Sequence, residues 1–101
     1  MHGEIDAADL LTRLNKGEKL TLLDVREELE YNTFNIGGKN IPLQGLGQNS
    51  DVLGPNKNEE IIVICSAGLR SATAAALLTE KGYTNVKNLT GGLLALRKLK
   101  H

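Results

Sequence analysis

The sequence predicts an α/β fold with a mostly parallel sheet covered by helices on both faces, and three observations predict it. Short apolar runs rich in branched side chains, residues 20–25 and Ile61–Ile64, alternate with segments of helical apolar spacing around Leu10–Leu14 and Ala72–Leu78. The runs are apolar at nearly every position instead of every second one, which suits strands buried on both faces. Parallel neighbours need a crossover, normally a helix, so strand and helix must alternate as they do here.

Taken in order, Asp6 as a cap, Asp9 in the first turn and the stripe Leu10, Leu11, Leu14 predict a helix over residues 7–16, ended near Gly17. Residues 20–25 read as a strand closed by Asp24, and residues 27–32 as a short helix. The turn-rich stretch Asn35, Gly37, Gly38, Asn40 leads into a brief strand at residues 40–42. From residue 44 to 58, Gly, Asn, Ser and Pro surround a weak apolar signal at Leu46, Val52 and Leu53, so this reads as a loop with room for one helical turn. Ile61, Ile62, Val63 and Ile64 form the strongest strand, closed by Cys65. Residues 71–81 read as an alanine-rich helix capped by Ser71 and ended by Gly82. Val86–Leu89 is a last strand, and Thr90 with Gly91 and Gly92 leads into a helix over residues 93–99.

A chain of 101 residues fits one domain, spanning residues 1–101, with one core that needs no disulfide or structural metal. Lys plus Arg equals Asp plus Glu, 12 each, so no net field favours a nucleic-acid backbone or an anionic membrane. No apolar run approaches the roughly 20 residues of a membrane span, and residues 1–9 are too acidic for a secretory signal. A cytoplasmic monomer is expected. One cysteine makes neither an internal disulfide nor a multi-thiolate metal site, and His2 and His101 sit at opposite ends, so neither metal nor cofactor is expected.

Ligands of open parallel sheets bind beyond the carboxyl ends of the strands, where loops enter helices. The stretch Cys65-Ser66-Ala67-Gly68-Leu69-Arg70-Ser71 is such a connection, between the strongest strand and the strongest helix. With Gly68 free to take an unusual backbone angle, its N–H groups can turn inward around the Cys65 sulfur at the positive end of the helix. Helix dipole, amide hydrogen bonds and the Arg70 charge together favour a thiolate, which is the nucleophilic form of cysteine. The bland alternative is a small buried hydrophobe at a strand end. Asp24 and Arg26 fall on the same edge of the sheet and are read as supports for the loop. Tyr31 and Phe34 are read as core or rim packing.

These blocks together resemble the rhodanese family. Residues 22–27 with Glu30 and Tyr31 look like its first signature, continued by Asn35-Ile36 and Asn40-Ile41-Pro42-Leu43. Ile62-Val63-Ile64-Cys65 with Gly68, Arg70 and Ser71 looks like its active-site strand and loop. Gly82-Tyr83, Asn85-Val86 and Leu89-Thr90-Gly91-Gly92-Leu93 resemble its closing signature. The resemblance implies a three-layer α/β/α domain with a five-stranded, mostly parallel central sheet. It implies a sulfurtransferase in which Cys65 takes sulfane sulfur from thiosulfate or another donor as a persulfide, held by residues 66–71, and passes it to cyanide or a thiol. The alternative is a sulfur-relay or docking module that receives persulfide from a protein partner.

The spacing C-x4-R also separates the chain from related phosphatases and arsenate reductases, whose signature C-x5-R leaves room for a tetrahedral oxyanion. Departures from the family pattern are Asn35 for His, Gly37 for Pro, and Leu96 for a frequent Trp. Ser66 and Leu69 are uncharged where many thiosulfate-using members are basic or polar, which leaves Arg70 as the only charged side chain of the loop and argues against strong thiosulfate binding.

Overall fold

Ile61, Ile62, Val63 and Ile64 lie at the centre of the molecule, as expected of the strongest strand, and all four are buried. The structure, a computed structural model, describes residues 2–99, so His101 lies outside the described residues. Its strands are β1 Gly3–Ile5, β2 Leu22–Asp24, β3 Lys39–Asn40, β4 Ile61–Ile64 and β5 Val86–Leu89. They form one parallel sheet of order β1-β5-β4-β2-β3. The helices are α1 Ala7–Asn15, α2 Glu28–Thr33, α3 Leu43–Asn49, α4 Leu69–Glu80 and α5 Gly92–Leu99, with a 3-10 turn at Ser50–Leu53.

Alternate residues of β4 feed two separate cores. Ile61, Val63 and Cys65 pack with Leu46, Ala74, Ala75 and Leu78 under α3 and α4. Ile62 and Ile64 pack with Leu10, Leu89, Leu93 and Leu96 under α1 and α5. This is the three-layer α/β/α arrangement, and it explains why the strand carries no polar position. At about 1.5 to 3 kcal/mol for each large aliphatic side chain removed from water, these two layers supply most of the drive for folding.

Most element ends shift by one or two residues, β3 to Lys39–Asn40 from the expected 40–42, and three differences are larger or have a clear cause. Residues 43–53 are helical, not loop, because Leu46 and Leu53 are buried against the α4 layer and this packing overrides weak local propensity. β1 was not predicted; its three residues gain strand geometry by pairing with β5 at the sheet edge. α4 begins at Leu69, two residues before the predicted cap, because Gly68 turns the chain with a φ of 97°. Ser71 therefore lies inside the helix and does not cap it.

Glu60, just before β4, ties the α1 face to the sheet by bonding Arg13 on both guanidinium nitrogens at 2.6 and 3.0 Å and Lys87 Nζ at 2.6 Å. Arg13, against burial and with help from Lys87, lowers the Glu60 pKa from 4.5 to about 2. A depressed carboxylate contributes stability that is present above pH 4.5 and lost as pH falls towards 2. Glu60→Gln is therefore expected to flatten the acid side of the stability curve between those values, measured by urea unfolding at a series of pH values.

Candidate active site

Cys65 follows the last residue of β4, so the sheet itself delivers its sulfur to the carboxyl edge. The chain then turns through Ser66, Ala67 and Gly68 into α4, whose first four N–H groups have no partner within the helix. The sulfur fills that place. Cys65 Sγ accepts from Gly68 N at 3.1 Å and Ser71 N at 3.3 Å, and Ser71 Oγ lies 3.2 Å away. Burial pushes the Cys65 thiol up, but the Ser71 hydroxyl beside the sulfur and the amides of Ser71, Gly68 and Ala67 outweigh it, and the net shift is downward. The bland reading of a sulfur in a purely apolar setting does not describe this geometry, although the residue is buried.

The amides face the sulfur because the loop's carbonyls are engaged elsewhere. Leu93 N donates to Cys65 O at 2.9 Å and Leu94 N donates to Ser66 O at 3.0 Å, so two free N–H groups of the α5 N-terminus hold the outer side of the loop. That contact requires glycine at position 92. A Cβ there would stand 2.4 Å from Ser66 O and 2.6 Å from Cys65 O, and the residue has φ +61°. The double glycine is thus a close approach between α5 and the loop.

Asn88 on β5 completes the support, and sequence reasoning missed it. Its Nδ2 donates to Gly68 O at 3.3 Å and its Oδ1 accepts from Ser71 Oγ at 2.5 Å. It is 4% exposed, and a buried amide in a strand flanked by Val86 and Leu89 was the available signal.

The charged residues are placed differently from expectation. Arg70 is shared between α2 and the loop: its Nη1 and Nη2 bond both oxygens of Glu30 on α2 at 2.7 and 3.0 Å, Nη2 is also 3.3 Å from Ser66 Oγ, and its charge interacts with the Cys65 sulfur. The Arg70 hydrogen bonds, with one from Glu27 N, hold Glu30 at about 2, well below its ordinary 4.5. Asp24 and Arg26 bond each other, at 2.7 Å for the closest pair, and Arg26 Nη2 donates to Phe34 O at 2.7 Å. They brace the end of α2 and make no hydrogen bond to the loop; the pair is confined to its own strand end because Arg26 Nε and Nη2 already share the Asp24 carboxylate. Leu69 is 79% exposed at the mouth.

Beside Ser66 runs a groove of about 370 Å³ between α2 and α5, bordered by Leu29, Glu30, Phe34, Leu94 and Arg97. The Arg97 guanidinium sits 4.7 Å over the Phe34 ring, so Phe34 is a rim residue. The sequence reading did not find this groove, whose walls come from two helices far apart in the chain. Among the described residues, no group of three or more His, Cys, Asp or Glu is placed to hold a metal ion.

A parallel α/β domain with one cysteine cradled by main-chain amides at a helix tip defines a class: proteins that hold an anion on, or beside, a thiolate. Comparison with known proteins narrows it. A family profile described as rhodanese-like domain matches residues 6–99, and the chain belongs to that family. Thiosulfate sulfurtransferase PspE of Escherichia coli K12 is 38% identical over 81 residues, covering 77% of each chain. YrkF of Bacillus subtilis strain 168, named as a candidate sulfur carrier protein, is 35% identical over 89% of this chain, which spans 48% of YrkF. The solution structure of the rhodanese-like domain of the Anabaena Alr3790 protein superposes with a TM-score of 0.85 at 31% identity, covering 98% of this chain and 76% of that one.

Two outcomes follow from the geometry. Ser71→Ala removes the hydroxyl that can turn its proton from Asn88 to the thiolate, so the midpoint of Cys65 alkylation with iodoacetamide should move to higher pH. Gly92→Ala should cost roughly 1 to 3 kcal/mol in denaturant unfolding, from the left-handed backbone together with the clash against the loop carbonyls.

Proposed function

We propose that this chain is a sulfurtransferase that moves sulfane sulfur from a donor, thiosulfate or another, to a thiophilic acceptor, cyanide or a thiol, through a persulfide on Cys65. The observation that carries the reading is the convergence of the Gly68 and Ser71 amides on Sγ at the tip of α4. In the first step the Cys65 thiolate attacks the outer sulfur of the donor. The new Sγ–S bond forms as the donor's own S–S bond breaks, and the bonding pair leaves with sulfite or with a thiol. In the second step the acceptor attacks the terminal sulfur and Cys65 departs as the thiolate. Main-chain N–H groups of residues 66–71 stabilise the anionic sulfur in both states, at fixed positions that need little reorganisation.

Ser66, Ala67, Gly68, Leu69, Arg70 and Ser71 form the cradle in this reading, and Asp24 with Arg26 supports it through α2. The chain has a single cysteine, so the acceptor is a separate molecule. The names of PspE and YrkF agree with transfer and with carriage respectively. A monomer in the cytoplasm is the setting we propose, since a lone nucleophilic thiol stays free in a reducing compartment. The balanced charge gives no support to nucleic-acid or membrane partners.

A second reading, a relay that receives persulfide from a protein partner with little turnover, is favoured by one observation. The groove beside Ser66 is mostly apolar and flanked by the exposed side chains of Leu29 and Leu94.

Intact-mass analysis after treatment with thiosulfate, and separately with cysteine persulfide, tests the proposal. A gain of one sulfur atom is expected, lost in Cys65→Ser and reversed by cyanide. No gain from either donor would refute it. Steady-state thiocyanate formation then separates enzyme from relay, since a relay yields almost none.

A further inference from the structure

The loop carries one cation, Arg70, and its charge is matched by a carboxylate from another element. Glu30 takes both terminal nitrogens of Arg70, at 2.7 and 3.0 Å, while the same carboxylate accepts from Glu27 N at 2.9 Å. This second bond closes a capping box at the start of α2, so Glu30 is fixed in place independently of Arg70. The next cation inward, Arg26, is matched in the same way by Asp24. Around the mouth of the cradle, each of these arginines is therefore cancelled by its own carboxylate.

This matters because donors of sulfane sulfur differ in charge. Thiosulfate brings two negative charges towards a site that must hold a thiolate. An organic persulfide presents its reacting S–S unit as a neutral perthiol or a monoanion. Fixed amides hold a single anionic sulfur in either case, but a second charge needs a cation at the mouth; the one bonded to Ser66 is already occupied by Glu30, and Arg97, on the far wall of the groove, lies over the Phe34 ring and makes no bond to the loop.

We infer that Glu30 sets the donor class of this site: by engaging Arg70 it biases the Cys65 cradle towards persulfides carried on thiols and against dianions such as thiosulfate. The inference rests on the persulfide chemistry proposed above. In the favoured step the Cys65 thiolate attacks the terminal sulfur of R–S–SH, the Sγ–S bond forms as the S–S bond of the donor breaks, and the proton of the terminal sulfur leaves with the thiol R–SH while the persulfide stays on Cys65 as the anion. No oxidant or reductant is consumed. Glu30 is a positioning residue in this account, because it touches Arg70 and not the reacting sulfur.

The experiment loads wild-type protein and Glu30→Gln with thiosulfate or with cysteine persulfide, reading persulfide on Cys65 by rapid quench and intact mass. Gln keeps an oxygen for Glu27 N but removes the charge. The ratio of thiosulfate to cysteine persulfide loading rates is expected to rise about three- to tenfold in the variant. The gain should lie in the half-saturating thiosulfate concentration and not in the limiting rate, a direction that simple loss of structure does not produce. An unchanged or lower ratio overturns the inference while leaving the persulfide chemistry standing; failure of both donors to load wild-type protein removes that chemistry itself. Should the variant fail to fold, wild-type protein decides alone. Its thiosulfate loading is expected to change less than about twofold between 50 and 300 mM salt, values chosen so that exposed charges are progressively screened. A steep fall with salt would show an uncancelled cation at the mouth and overturn the inference.

Discussion

Everything at the sulfur depends on which way the peptide groups between β4 and α4 face. A loop of this length has as many carbonyls as amides, and either set could line its inner side. Here the α5 N-terminus draws the carbonyls of Cys65 and Ser66 outward through the amides of Leu93 and Leu94. The amides of Gly68 and Ser71 remain to meet Sγ. Two helix N-termini thus act on opposite sides of one loop, α5 orienting it and α4 using it.

Glycine is what makes this geometry sterically possible. Gly68 reverses the chain direction at φ +97°, and Gly92 lets α5 come within bonding distance of the loop backbone. From behind, Asn88 bonds both Gly68 O and the Ser71 hydroxyl, so β5 fixes the loop from the sheet side as well. The loop is consequently held on three sides, with Cys65 buried and Ser66 at the edge of the groove between α2 and α5. Charge is arranged differently: Asp24 with Arg26, and Glu30 with Arg70, are bidentate or near-bidentate pairs whose fields largely cancel at a distance. The anion-stabilising power of the site comes first from dipoles held in place at the sulfur, with the Arg70 charge, tempered by Glu30, added to them.

Much of this was legible in the chain. Apolar runs predicted β2 and β4, because a strand buried on both faces must be apolar throughout, and turn residues around shorter segments marked β3 and β5. The strand-to-helix connection after Cys65 was recognisable from Gly68 and the alanine-rich segment beyond it. The α3 segment was not, since its helicity comes from burying Leu46 and Leu53 against α4, and Gly45 and Gly47 weaken the local signal. Nor was the pairing of Arg70, because Glu30 lies forty residues earlier and nothing local marks it as a partner.

By itself, the sequence determined the alternation of strand and helix, the position of the nucleophile at a strand end, and the glycines that permit a tight cradle. These are local properties, set by side-chain burial and by backbone freedom at single residues. Only the tertiary structure decided the direction of the loop amides, the help of Asn88, and the cancelling of Arg70 by Glu30. Each of those is an interaction between elements distant in the chain, and distance in sequence carries no information about hydrogen-bond direction or charge pairing until the sheet brings the elements together.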